Sequence, residues 1–152
     1  MAYVCVCGVD PGLTGAVAFY YPGHDKISVY DMPVVNGDVD VAGLADLLRR
    51  ILPQIALIEQ VASRPGQGVS SMFKFGTGYG MVHGVLGALQ IPRHLATPQR
   101  WKKHFRLDAE KESARALALR FWPDRAELFA RKKDAGRAEA VLIAKYAAQT
   151  IA

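Results

Sequence analysis

Three acidic residues occupy positions where carboxylates do chemistry better than they pack. Asp10 follows the apolar run YVCVCGVD, Glu59 closes a second run, QIALIEQ, and Glu139 lies in RKKDAGRAEAVLIAKY, residues 131–146. A carboxylate at the end of an apolar strand is poorly placed for a core and well placed for a site at the edge of a sheet. Asp10 alone has a plainer reading, as a turn-capping Asp before Pro11-Gly12. Three acids from three separate segments say more. Like charges about 4 Å apart repel by roughly 4 kcal/mol at an effective dielectric near 20, so acids that converge need cations. Oxygen ligands of this kind suit Mg²⁺ or Mn²⁺. Two such ions, ~3.5–4 Å apart, can clamp the attacking water and the leaving oxygen of a phosphodiester.

The last of these segments carries a second acid, Asp134. A helix turns roughly 100° per residue, so the residue sharing a face with Glu139 is Ala135, four positions earlier, and Asp134 lies about 140° away. A metal site there has either a blank at Ala135 or an Asp134 that swings in from before the first turn, where geometry is not yet helical. Asp134 also suits the role of helix N-cap.

Charge is unevenly spread over the 152 residues. Residues 1–92 hold 5 basic and 7 acidic side chains, and residues 93–152 hold 14 and 7. A basic half suggests an acidic partner, nucleic acid first among them. Together with the acids, this points to a nuclease. In SRPGQGVSSMFKFG, Phe73 and Phe75 flank Lys74; an aromatic there can stack on unpaired bases, or both rings can belong to the core of the next helix. PQRWKKHF sets Arg100, Lys102, Lys103 and His104 on a short helix, with Trp101 and Phe105 sharing the inward face. Arg131, Lys132 and Lys133 stand beside the acids, and one lysine there can stabilise charge developing on a phosphate. Their plainer reading is a solvated basic turn. Arg137 can pair with a nearby acid.

These residues need a scaffold. Three short apolar runs ending in tight turns (YVCVCGVD, AVAFYYPG, KISVYDMP) predict an antiparallel meander. VDVAGLADLLRRIL predicts a helix capped by Asp40. QIALIEQ predicts a buried strand, 70–89 a glycine-rich helix, and IPRHLATP a fifth strand. Helices follow at about 97–105, 109–121, 125–131 and 135–150. The order is that of an α/β domain with a five-stranded mixed sheet flanked by helices, one domain over 1–152. Gly80, Gly84 and Gly87 recur at helical spacing and permit another backbone to approach, in this chain or in a second copy.

Composition and cysteine usage set further bounds. Cys5 and Cys7 alternate in an apolar run, point to one face and have no second pair to complete a zinc site. A reduced pair in a soluble intracellular protein is the expectation. No apolar stretch reaches membrane-spanning length, and the N-terminus has neither a basic n-region nor transit-peptide composition.

CGVDPGLTGAVAFY, ALIEQV and KKDAGRAEAVLIAKYA, in that order and spacing, resemble the RuvC-type Holliday junction resolvases. KFGTGYGMVHGVL and TPQRWKKHF are similar to the branch found in phages, bacteria and plant chloroplasts. The resemblance implies an RNase H-like fold over nearly the whole chain. It implies a homodimer that binds four-way DNA junctions and nicks two opposing strands with Mg²⁺ or Mn²⁺, two ions per site. It places catalytic acids at Asp10, Glu59 and Glu139, and a fourth side chain, Asp or His, one turn before the last, where this chain has Ala135. Arg64, Gln67 and Lys74 become phosphate or base contacts near the junction centre. Three accounts of Ala135 stay open: a chain altered to prevent cleavage, an Asp134 that takes the place, or a natural binder that does not cut. A related nuclease for other branched or RNA-containing substrates is a further alternative. The DPGLTG loop also resembles the phosphate loop of sugar kinases and actin-like ATPases, whose second nucleotide-binding half this chain is too short to hold.

Overall fold

In the computed structural model, residues 3–63 and 65–151 are described; the expected DNA contact Arg64 lies outside them. Five strands form one sheet: β1 (Val6–Asp10), β2 (Ala16–Tyr21), β3 (Lys26–Asp31), and then, after a two-stranded hairpin of β4 (Val34–Val35) and β5 (Asp38–Val39), β6 (Ile55–Glu59) and β7 (Arg93–Ala96). The sheet order is β3-β2-β1-β6-β7. The first three strands are the expected antiparallel meander, while β6 and β7 run parallel to β1. The sheet is therefore mixed, as the segment order predicted.

Register sets up the chemistry. Val9 of β1 pairs with Ile58 of β6 in parallel. The next residue on each strand is an acid, so Asp10 and Glu59 leave the sheet side by side at the same edge.

Helices cover both faces. On one side lie α1 (Val41–Ile51) and α2 (Val69–Ala88), packed on Cys5, Cys7, Val9, Val17 and Ile58. Asp40 caps α1 by accepting from the Gly43 amide at 3.0 Å. On the other side lie α3 (Pro98–His104), α4 (Lys111–Phe121) and α5 (Ala135–Thr150), packed on Val6, Ala16, Ala18 and Leu57. Cys5 and Cys7 are buried free thiols on one face. Alternate side chains of β1 thus feed two cores, which strand geometry requires of a doubly covered sheet.

Helix α5 crosses β1 with no spacer. A β-carbon at Gly8 would stand 2.4 Å from the Ala144 amide nitrogen and 2.5 Å from the Ala140 carbonyl oxygen. Only glycine lets the two backbones meet, and that contact carries Glu139 to the strand that ends in Asp10.

Two local expectations change. The helix expected at 125–131 is a tight 3₁₀ segment, Pro123–Phe129, with a non-helical break at Arg125 (φ −121°, ψ 33°). The β4–β5 hairpin was not expected, because its strands are two residues long and carry no alternation. Its turn, Asn36 (φ 52°) and Gly37 (φ 77°), is the Asn-Gly pair that short hairpins favour. Among the described residues, no helix is long and apolar enough to cross a membrane.

Candidate active site

Asp10, Glu59 and Glu139 each present a carboxylate oxygen, and these oxygens all lie within 4.8 Å of one another. No other group of three or more His, Cys, Asp or Glu side chains meets in this way among the described residues. Glu59 and Glu139 are buried, and Asp10 is half-buried. The three face an open cleft of about 1200 Å³.

Burial pushes the Asp10 carboxyl up to about 7, and the neighbouring charges of Glu139 and Glu59 push the same way, against Lys111 and Lys102. Burial also raises Glu59, opposed first by a hydrogen bond from Trp101. Carboxylates so destabilised in their charged form favour any cation that can reach them. The donor set is oxygen only, which fits Mg²⁺ or Mn²⁺. Glu59 is oriented for such a role: Trp101 Nε1 donates to its Oε2 at 2.8 Å, leaving the second oxygen free of that bond.

The cleft is also lined by cations. Lys102, Lys103, Arg106 and Lys111 line it, on α3, the following loop and the start of α4. Lys111 Nζ lies 3.5 Å from Glu139 Oε1. Phe75 lines the cleft as well and is 39% exposed, and Phe73 is 78% exposed, so neither ring is core. Lys74 and Phe75 border a smaller hollow beside the Pro11–Thr14 loop. Gln67 and Arg100 are on the surface.

Asp134 is placed apart from the three acids. Its Oδ2 accepts from the Arg131 backbone amide at 2.9 Å, and its Oδ1 accepts from the Arg131 guanidinium at 2.9 Å. That hydrogen bonding holds its carboxyl below the usual range. Asp134 is the residue before α5, yet its side chain closes the preceding turn and does not cap the helix. With Arg131 and Lys133 it lines a separate hollow next to Thr14 and Gly15. Lys132 and Lys133 are exposed. Arg137 pairs chiefly with Asp31 of β3, at 2.8 and 3.0 Å, and only distantly with Asp134, at 3.7 Å.

Ala135 is buried one turn before Glu139. The next residue, Gly136, lies against the Asp10 loop. A β-carbon at Gly136 would lie 3.5 Å from Asp10 Oδ2, but also 2.6 Å from the Thr14 carbonyl oxygen. No side chain fits at 136 without displacing the Asp10 loop.

No family model matches the chain, and no curated protein matches it by sequence. Solved structures do match. RuvC of Thermus thermophilus in complex with a Holliday junction substrate superposes with a TM-score of 0.62 at 16% identity, over 97% of this chain and 96% of that one. The fold is that of RuvC. A second structure of Thermus thermophilus RuvC gives 0.59 at 17% identity over 95% of each chain. The Fowlpox virus resolvase, in complex with substrate Holliday junction DNA, gives 0.56 at 13% identity over 97% of this chain and 98% of that one. These likenesses resolve no branch. Within the RuvC fold, sequence reading missed three contributors to the site. Trp101 was read as packing inward, and Lys111 and Gly136 were given no role. Only Gly136 left a signal, as a helix-weakening residue three positions before an acid.

Proposed function

We propose that this chain is a metal-dependent endonuclease that binds four-way DNA junctions as a homodimer and nicks two opposing strands. The observation that carries this reading is the meeting of Asp10, Glu59 and Glu139 in a cleft that Lys102, Lys103, Arg106 and Lys111 also line. Asp10, Glu59 and Glu139 would hold Mg²⁺ or Mn²⁺, two ions per site, which supply Lewis acidity and lower the pKa of water. The chain's own groups do the rest. The lysine wall holds the phosphodiester against the acids, and an ammonium there offsets charge that builds on the phosphate. Trp101 keeps Glu59 turned toward the cleft. Phe73, exposed beside Lys74, stacks on bases left unpaired at a branch. Arg64, Gln67, Phe75 and Arg100 join it as DNA contacts, as do Lys132 and Lys133. Arg131 reaches DNA only with what its pairing to Asp134 leaves over, and the role of Asp134 is to hold that turn.

The test is nicking of an end-labelled synthetic four-way junction with Mg²⁺. Paired nicks at symmetric positions, and no cleavage of linear duplex, are expected. Binding should weaken steeply with salt. Cleavage of linear and branched DNA alike would overturn junction selectivity. Binding without cleavage, relieved by neither Ala135→Asp nor Ala135→His, would favour the non-cutting reading.

For the dimer, α2 supplies the seam. Gly76, Gly80 and Gly84 lie at i, i+4 and i+8 of α2, where an added β-carbon meets nothing within 4 Å. Gly87 is different, since the Arg93 guanidinium lies 3.3 Å from its β-carbon position. A second copy of α2 packs closely along the first three. Gly80→Leu adds a side chain to open space, so the monomer folds and the dimer is lost. Light scattering should read one chain mass in place of two, with the thermal midpoint of the monomer little changed. A dimer undisturbed by Gly80→Leu and by Gly84→Leu would place the seam elsewhere.

A further inference from the structure

We propose that Lys111 couples DNA to metal at this site. It restrains cation binding at Glu139 until a phosphate draws the lysine away. This inference rests on the nuclease reading above and adds to it a residue that links the two ligands.

The geometry is asymmetric. Lys111 Nζ lies 3.5 Å from Glu139 Oε1, and the Lys111 side chain is 73% exposed while that of Glu139 is 7% exposed. The carboxylate is fixed by the packing of α5 and cannot follow the ammonium. The ammonium is on a flexible stem at the first residue of α4 and can leave. Among the described residues, Lys111 is also the only Lys or Arg that hydrogen-bonds or ion-pairs with the three clustered acids.

Two consequences follow from charge alone. An ammonium beside a ligand oxygen repels a divalent ion at that oxygen and competes for its lone pairs. It is therefore a standing penalty on metal affinity. The same ammonium lines the cleft with Lys102 and Lys103, where a phosphodiester would lie. A phosphate within reach offers Lys111 a second anion, and moving toward it lifts the penalty at Glu139. Metal and DNA then raise each other's affinity by one common factor, as linkage demands. A chain without the lysine binds metal more tightly when alone and gains less from DNA.

Calcium ion, an oxygen-seeking divalent cation, is the probe, titrated calorimetrically into the full chain with and without a saturating synthetic four-way junction. Lys111→Gln should bind Ca²⁺ about ten-fold more tightly than the unaltered chain in the absence of DNA, the effect of a unit charge on a divalent ion roughly 6 Å away in water. Adding the junction should tighten Ca²⁺ binding to the unaltered chain by a similar factor and leave Lys111→Gln almost unmoved. Lys111→Arg, which keeps the charge, should retain the coupling. Lys111 is on the surface, so these variants fold, and a thermal melt verifies it. Equal Ca²⁺ affinity in the unaltered chain and Lys111→Gln would overturn the inference and leave the metal site standing. So would tighter binding by Lys111→Gln with no response of the unaltered chain to the junction. No Ca²⁺ or Mn²⁺ binding by any of these chains would bring down the metal-nuclease reading, and this inference with it.

Discussion

Asp10→Asn and Glu59→Gln should each lower junction nicking by on the order of a thousand-fold, while junction affinity measured without divalent metal should hold or improve. Both changes keep the volume of the side chain and remove its charge. Three anionic oxygens within 4.8 Å become two, and the site loses the attraction that gathers cations. A thousand-fold corresponds to about 4 kcal/mol of transition-state stabilisation, a modest demand for a metal-assisted hydrolysis. The fold tolerates both amides. In Glu59→Gln the new amide still offers a carbonyl oxygen to Trp101 Nε1, which donates to the native carboxylate at 2.8 Å. On the proposed reading binding should be spared, because the basic side chains of the cleft and not the acids hold the DNA, and removing an acid reduces repulsion of phosphate. Single-turnover nicking of a labelled junction, beside gel-shift titrations in EDTA, reads both quantities. Nicking within ten-fold of the unaltered chain would remove that acid from the reaction. Loss of binding as well would mean the substitution had damaged more than the site.

The strand acids were the most legible part of this chain. Asp10 and Glu59 stand at the ends of apolar runs, and a parallel pairing of those runs is enough to bring them together. β1, β2 and β6 were readable for the same reason, since each is a short apolar segment bounded by a turn. Glu139 was readable as an acid on an otherwise apolar helix. What escaped was set by backbone approach, which side-chain patterning does not encode. The helix wheel chose Ala135 as the neighbour of Glu139, and it gave no sign that Gly136 beside it meets the Asp10 loop, where the missing side chain is what permits the approach. Asp134 looked available until its pairing with Arg131 was visible, three residues away across a single 3₁₀ turn. Lys111 and Trp101 reach the acids from α4 and α3, and only the packing of those helices brings them there.

The same crowding of acids should make the protein less stable as pH rises, and a bound cation should offset this. Unfolded Asp10 titrates near 3.9; in the folded chain burial, with Glu139 and Glu59, raises it to about 7. Between those values the folded state holds a proton that the unfolded state has lost. The stabilisation is complete below about pH 4, shrinks as pH rises, and is gone once pH passes through 7. Burial shifts Glu59 the same way. The full mismatch for Asp10 would be about 4 kcal/mol at one pKa unit per 1.36 kcal/mol, reduced to roughly 2–3 kcal/mol because the carboxyl lies at an open cleft where water screens it. Calorimetric melts in EDTA should therefore show a midpoint several degrees lower at pH 8 than at pH 5. Asp10→Asn removes much of that difference, since its amide does not titrate. Mg²⁺ at pH 8 raises the midpoint of the unaltered chain and not that of Asp10→Asn, because a cation among the acids does at high pH what the proton does at low pH. Equal pH dependence in the two chains would mean that Asp10 is ionised at little cost, and that the three carboxylates do not compel a cation to join them.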